Sequence, residues 1–292
     1  MKYKVLIYSL LAAVLLAACN DKEYTVDMGE SGTTPGRQVR PLVADVETLT
    51  VPNTEVSFEM IRVQAGTFIM GGFDVEGPAH QVTLTHDYYI GRTEVTQALY
   101  YAVMGENPSE FNYADDYPVD KVSHWDAVHF CQKLTQLTGY HFTLPTEAQW
   151  EYAALGGRNA AHTDYSGGNN INTVGWYLNN APEYNVNTTS SLTGHDTTLV
   201  IRHTKPVMGK TANDLGLYDM TGNVREWCLD WYSVLGTEAV TDPTGPDRGE
   251  GRVYRGGSCN DSAQYCRVAH REGLTQMSRG YNFGFRVVIN VQ

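Results

Sequence analysis

Residues 255–271 read RGGSCNDSAQYCRVAHR, placing Cys259 and Cys266 in a glycine-, serine- and arginine-rich run with six residues between them. Such a pair has three possible fates. Two thiolates converging from one rigid loop form a soft site that selects Cu(I). In an oxidising compartment the same pair can close as a disulfide. Otherwise each thiol is a small buried hydrophobe.

The compartment is legible at the other end of the chain. MKYK is a short basic start, VLIYSLLAAVLLAA is apolar but too short to span a bilayer comfortably, and LAAC ends it at Cys19. This pattern resembles a lipoprotein signal, with residues 1–18 removed and Cys19 lipidated. Asn20 after the cysteine resembles lipoproteins sent to the outer membrane, facing the periplasm or the surface. Residues 19–55 mix Gly, Thr, Pro and charges without period and read as a tether. The folded domain is expected over residues 56–292.

With 292 residues, 42% of them hydrophobic, the chain can bury a sizeable core. Its net charge of −12 excludes nucleic acid as a natural partner, since phosphate binding needs clustered positive charge. Strands are expected from the β-branched alternation of VETLTVPNTEVSFEMIRVQAGTFIMGG. Three helices are predicted. One lies between Val95 and Met104. A second follows the Ser123–Asp126 capping pattern, carries Val128, Cys131, Leu134 and Leu137 inward, and stops at Gly139. The third starts at Thr146 with Gln149, ends at Gly156, and turns Trp150 to the core. Beyond Gly156, long ordered loops are expected over a small sheet.

Four ordered stretches carry a resemblance: GTFIMGG leading to EGPAHQVTLTHDYYIGRTEVTQALY; NPSEFNYADDYPVDKVSHWDAVHFC; YHFTLPTEAQWEYAALGG; and NDLGLYDMTGNVREWCLDWY leading to RVYRGGSCNDSAQYCRVAHREG and NFGFRVV. In this order they resemble the formylglycine-generating enzyme, or sulfatase-modifying factor, family. The resemblance implies an α+β, C-type-lectin-like fold of small twisted antiparallel sheets, a few helices and long ordered loops. Active members oxidise a cysteine of a target sulfatase to formylglycine with oxygen and a copper ion held by two cysteines. One fold hosts many sites, so activity must be judged residue by residue.

In those enzymes the loop after RGGS carries C-x-x-x-x-C. Counting forward here, Asp261 stands where the first thiol belongs, with Tyr265 and Cys266 on the Tyr-Cys that follows. Counting backward from RVAHR and GFR instead leaves the loop short and places Cys266 just before a strand; this second register is the one adopted. Either way a copper ligand is missing, and copper is not expected. Ser258 matches the family's active-site serine, although it also belongs to the RGGS turn. Were the chain active, Ser258, Cys259, Tyr265 and Cys266 would be the catalytic candidates. Arg225 stands where the family usually has a tryptophan lining the peptide groove. Relatives with the EWC variant imply a Cys228–Cys266 disulfide, with Cys259–Cys266 as the other pairing and Cys131 a free buried thiol.

The resemblance also implies a Ca2+ site from Asp219, the carbonyls of Gly222 and Val224, and Glu226. Alternating oxygen donors on a tight turn, with two carboxylates, suit a hard cation. The same turn could instead use Asp219 and Glu226 to accept backbone N–H bonds. A second calcium site is expected in GGNNINTVGWYLNN, without assignable ligands. The functional expectation is a lipid-anchored envelope protein without oxidase activity, a calcium-stabilised binding or scaffold module for a protein or glycan partner. The alternative is a formylglycine-generating oxidase.

Overall fold

A computed structural model describes residues 40–72, 77–159, 163–189 and 196–291. The signal, Cys19 and most of the tether lie outside the described residues. The first sheet has five strands in the order Val46–Thr50, Ser57–Val63, Tyr88–Gly91, Val288–Asn290, Phe142–Thr143, each antiparallel to its neighbours. It corrects the expected domain start at Val56. Alternation in VETLT buries Glu47 and Leu49, and the strand pairs with Ser57–Val63 through a turn at Asn53, which takes positive φ. An edge strand needs only one buried face, so the domain begins with the strand read in VETLT and not after it.

The three predicted helices form: α1 (Gln97–Met104), α2 (His124–Thr138) and α3 (Glu147–Ala154). Thr96, Ser123 and Thr146 cap them, the last two as full capping boxes with Asp126 and Gln149. Gly105 and Gly139 end α1 and α2 in left-handed backbone. The buried face of α2 is Ala127, Phe130, Cys131 and Leu134; Val128 and Leu137, expected inward, lie at its margin. Phe130 stacks on Tyr100 of α1 at 5.4 Å and meets Phe285 at 5.2 Å. Truncating it to alanine should cost about 3–5 kcal/mol. Trp150 and Tyr152 of α3 fill a second core with Ile61, Val82 and Cys228.

Beyond α3 the chain is less loop-like than expected. Glu183–Thr189 and Asp196–Arg202 pair as an antiparallel hairpin. A four-stranded sheet runs Arg271–Leu274, Arg252–Arg255, Arg225–Trp231, Phe283–Gly284, the last pair parallel. A buried ion network fastens this sheet to α3. Arg255 pairs with Glu147 at 3.0 Å and with Glu151, while Arg271 donates twice to Glu147 at 2.6 Å. Arg255 also caps the carbonyls of Val268 and His270, at 2.8 and 3.0 Å. The arginines bracketing the opening stretch are therefore its anchors.

Candidate functional site

The RGGS turn sets the site. Gly257 has φ 65°, and a β-carbon there would lie 2.6 Å from the Cys266 sulfur and 2.7 Å from the Tyr265 carbonyl, so only glycine fits. The following residues fold back into a 3-10 turn, Ala263–Cys266. Cys266 closes that turn beneath Ser258, its thiol 3.8 Å from the Ser258 carbonyl. The strand does not begin until Arg271. Cys266 thus lies against the RGGS turn and not at the strand's edge.

Ser258 is fully buried and its hydroxyl is spent. It donates to Asp261 Oδ2 at 2.6 Å and accepts from Asn282 Nδ2 at 3.0 Å. Asp261 in turn takes two bonds from Arg225, Nε to Oδ2 at 2.8 Å and Nη2 to Oδ1 at 2.6 Å. The Arg225 guanidinium lies 5.2 Å from the ring centres of both Tyr254 and Phe283. The two departures, at 225 and 261, are one linked unit, which sequence reasoning had treated separately.

The four cysteines among the described residues are free thiols and buried, so the expected Cys228–Cys266 disulfide is not formed. The reason is positional. Cys228 packs with Trp150 and Val253 in the second core, whereas Cys266 packs with Ile171 and Tyr177 in a separate cluster. Cys259 is buried with its sulfur 3.6 Å from the Arg202 carbonyl and its N–H bonded to the Asn223 carbonyl at 2.9 Å. Cys131 is a buried small hydrophobe, as expected. Burial, and then the Asp261 carboxylate, push the Cys266 thiol up to about 12 and that of Cys259 well above its ordinary value. Copper(I) needs two converging thiolates. Where the forward count from RGGS sets the first thiol, this loop offers a carboxylate engaged with Arg225, a hard donor already spent, and it does not fit the ion. Tyr265 is half-exposed beside the turn.

A second locus lies where Asp219, Gly222 and Asn223 take positive φ. A β-carbon on Gly222 would lie 2.0 Å from the Trp176 carbonyl, so that turn is also reserved for glycine. Glu226, expected as a cation ligand, is buried with both oxygens bonded: Arg286 reaches them at 2.6 and 2.7 Å and Trp150 Nε1 adds a bond at 2.8 Å. Val224 gives its N–H to Glu94 Oε1 at 3.0 Å, and Asn223 Nδ2 donates to Glu94 Oε2 at 2.7 Å. Asp219 Oδ2 accepts the Met208 N–H at 2.7 Å, while its Oδ1 is buried without a hydrogen-bond partner. Glu94 was missed from sequence, because its partners lie some 130 residues away. Burial, then the charges of Asp219 and Glu226, raise the Glu94 carboxyl well above its usual range. Three buried carboxylates therefore face Arg286 as their guanidinium. Among the described residues no three His, Cys, Asp or Glu side chains are arranged to hold a metal by themselves. Of the expected ligands, Asp219 keeps a buried oxygen suited to a hard cation, whereas Glu226 is spent on Arg286 and Trp150.

The described surface beside Asn260 is aromatic. Tyr281 accepts a hydrogen bond from Asn260 Nδ2 at 3.1 Å and meets Phe111 at 5.7 Å. Phe111 in turn touches Tyr113, Tyr184 and His203, ring centres 5.5–6.2 Å apart, with Tyr113 and Tyr184 exposed.

Comparison with known proteins agrees with this fold. The sulfatase-modifying factor enzyme 1-like domain matches residues 46–291. A protein named chaperone protein LppX from Paenibacillus barcinonensis is 33% identical over 81% of this chain and 91% of its own length. The formylglycine-generating enzyme of Streptomyces coelicolor is 37% identical, over 61% of this chain but only 54% of its own length. Among solved structures, Treponema denticola variable protein 1 superposes with a TM-score of 0.73 at 31% identity, covering 85% of this chain and all of the other. PvdO from Pseudomonas aeruginosa, at 23% identity and a TM-score of 0.62, covers 84% of this chain and 98% of its own, and shares the fold. By motif order, architecture and this match over most of its length, the chain belongs to the sulfatase-modifying factor, or formylglycine-generating enzyme, family.

Proposed function

We propose that this chain is a binding or scaffold module of its family, carried on a lipid anchor at Cys19 in the outer membrane, and that it does not oxidise cysteine. One observation carries the reading: Asp261, which the forward count from RGGS sets at the place of the first copper thiol, is locked to Arg225 and Ser258. An ion pair at that point cannot supply a soft ligand. The aromatic patch of Tyr113, Tyr184, His203 and Tyr281, packed over the buried Phe111 beside that turn, supports binding of a protein or glycan partner. Its likeness to a relative named as a chaperone protein agrees with a binding role. Calcium at Asp219 and the neighbouring carbonyls would offset the surplus carboxylate charge and stabilise the 219–226 turn.

The discriminating experiment incubates the purified domain with Cu(I), oxygen and a C-x-P-x-R peptide. No aldehyde is expected. Aldehyde above the background of an Asp261→Ala, Cys266→Ala variant would establish the oxidase alternative.

A further inference from the structure

A cleft of about 590 Å³ opens on the edge of the four-stranded sheet, within the size range of small-ligand sites. Its walls include Tyr232, Gln264, Tyr265, His270, Arg271 and Glu272. Two of these are aromatic rings held in place and left partly exposed. Tyr232, 37% exposed, lies against Gly273, where a β-carbon would collide with it at 2.5 Å, and the Arg271 guanidinium sits 4.6 Å from its ring centre. Tyr265, 39% exposed, stands edge-on to His270 at 5.1 Å.

The polar groups between them are mixed and incompletely paired. His270 is buried, and its Nε2 has no hydrogen-bond partner. Glu272 Oε2, which accepts the Tyr254 hydroxyl at 2.6 Å, lies 3.7 Å away, beyond hydrogen-bond reach. An oxygen seated between them could bond both. Arg271 is neutralised by Glu147, and the remaining charged groups of the wall are one guanidinium, Arg267, and one carboxylate, Glu272. The cleft thus carries little net charge on an acidic chain, with donors and acceptors in comparable number. Rings for the apolar face of a sugar and unscreened polar groups for its hydroxyls favour an uncharged polyol over an anion or a basic peptide.

We propose that this cleft binds a neutral saccharide, one ring face on Tyr265 or Tyr232 and a hydroxyl between His270 and Glu272. The proposal rests on the binding-module reading and names the class of its ligand. The test is calorimetric titration of the purified full chain with maltotriose, cellotriose and chitotriose, with a tri-galacturonate as the anionic control. Binding of at least one neutral trisaccharide is expected, weakened about tenfold or more by Tyr265→Ala and by Tyr232→Ala but unchanged by Tyr101→Ala on the exposed side of α1. Each variant's melting curve establishes that it is folded. The proposal is overturned if no neutral trisaccharide binds up to about 10 mM, if only the galacturonate binds, or if Tyr265→Ala and Tyr232→Ala leave affinity unchanged. Absent saccharide binding with no aldehyde formed removes this ligand class alone; aldehyde formation removes the module reading whatever the titration gives.

Discussion

Arg225 and Asp261, 36 residues apart in the chain, hold each other in a bidentate ion pair that also takes the hydroxyl of Ser258. Asp261→Ala leaves the guanidinium against Tyr254 and Phe283 without a counter-charge, and should cost about 3 kcal/mol. The double variant Arg225→Met, Asp261→Ala should cost less than the sum of the singles, because no uncompensated charge remains. Urea unfolding of the four proteins measures the difference; strict additivity would mean the pair is not coupled.

The four thiols, 131, 228, 259 and 266, should be unreactive in the native state. Burial disfavours each thiolate, and the thiolate is the nucleophile. Ellman's reagent at pH 8 should register them only after denaturation, and mapping of non-reduced peptides should recover all as free cysteines. A Cys228–Cys266 or Cys259–Cys266 linked peptide would contradict the packing described above.

Calcium should raise the melting temperature of chelator-treated protein. At a hundredfold excess over Kd the stabilisation is about 2.7 kcal/mol, several degrees for a domain of this size. Asp219→Ala should abolish the response, and magnesium, which demands a tighter octahedron, should give little. An unchanged melt across the titration would show that Asp219 holds no cation.

Stability should fall between about pH 4 and pH 7 as pH rises. Burial pushes the carboxyls of Asp120 and Asp230 up to about 7. In that window the folded chain keeps protons that the unfolded chain has released, so acidification favours the fold. Below it the sign reverses: the hydrogen bond from Arg40 holds Glu47 down at about 2, and that contribution is lost as pH drops from the ordinary carboxylate range toward 2. Melting curves should peak on the mildly acidic side, and Asp120→Asn should flatten the slope between pH 5 and 8. A melting temperature that climbs steadily to pH 8 would refute this assignment.

Local signals carried the helices: Ser123 with Asp126 and Thr146 with Gln149 are complete instructions within four residues. The alternation of VETLT likewise announced the strand Val46–Thr50, while its place at the sheet's edge, ahead of the expected domain start, is set by its partner. The site divided the same way. Gly257 and Ser258 announce a turn in the sequence, but the Arg225–Asp261 pair, Glu94 against Val224 and the separation of Cys228 from Cys266 are tertiary facts. Spacing along the chain says which thiols could meet; only packing says which do.

Glu147 and Arg271 are bonded across 124 residues, and Arg255 reaches Glu151 across 104. Until the last strands emerge, the carboxylates of α3 have no cations and its helix cannot settle into the interior. Folding of this chain consequently waits on residues 255–271, and is slow by virtue of these long-range closures. Removal of the strands Arg252–Arg255 and Arg271–Leu274 should leave no folded remainder.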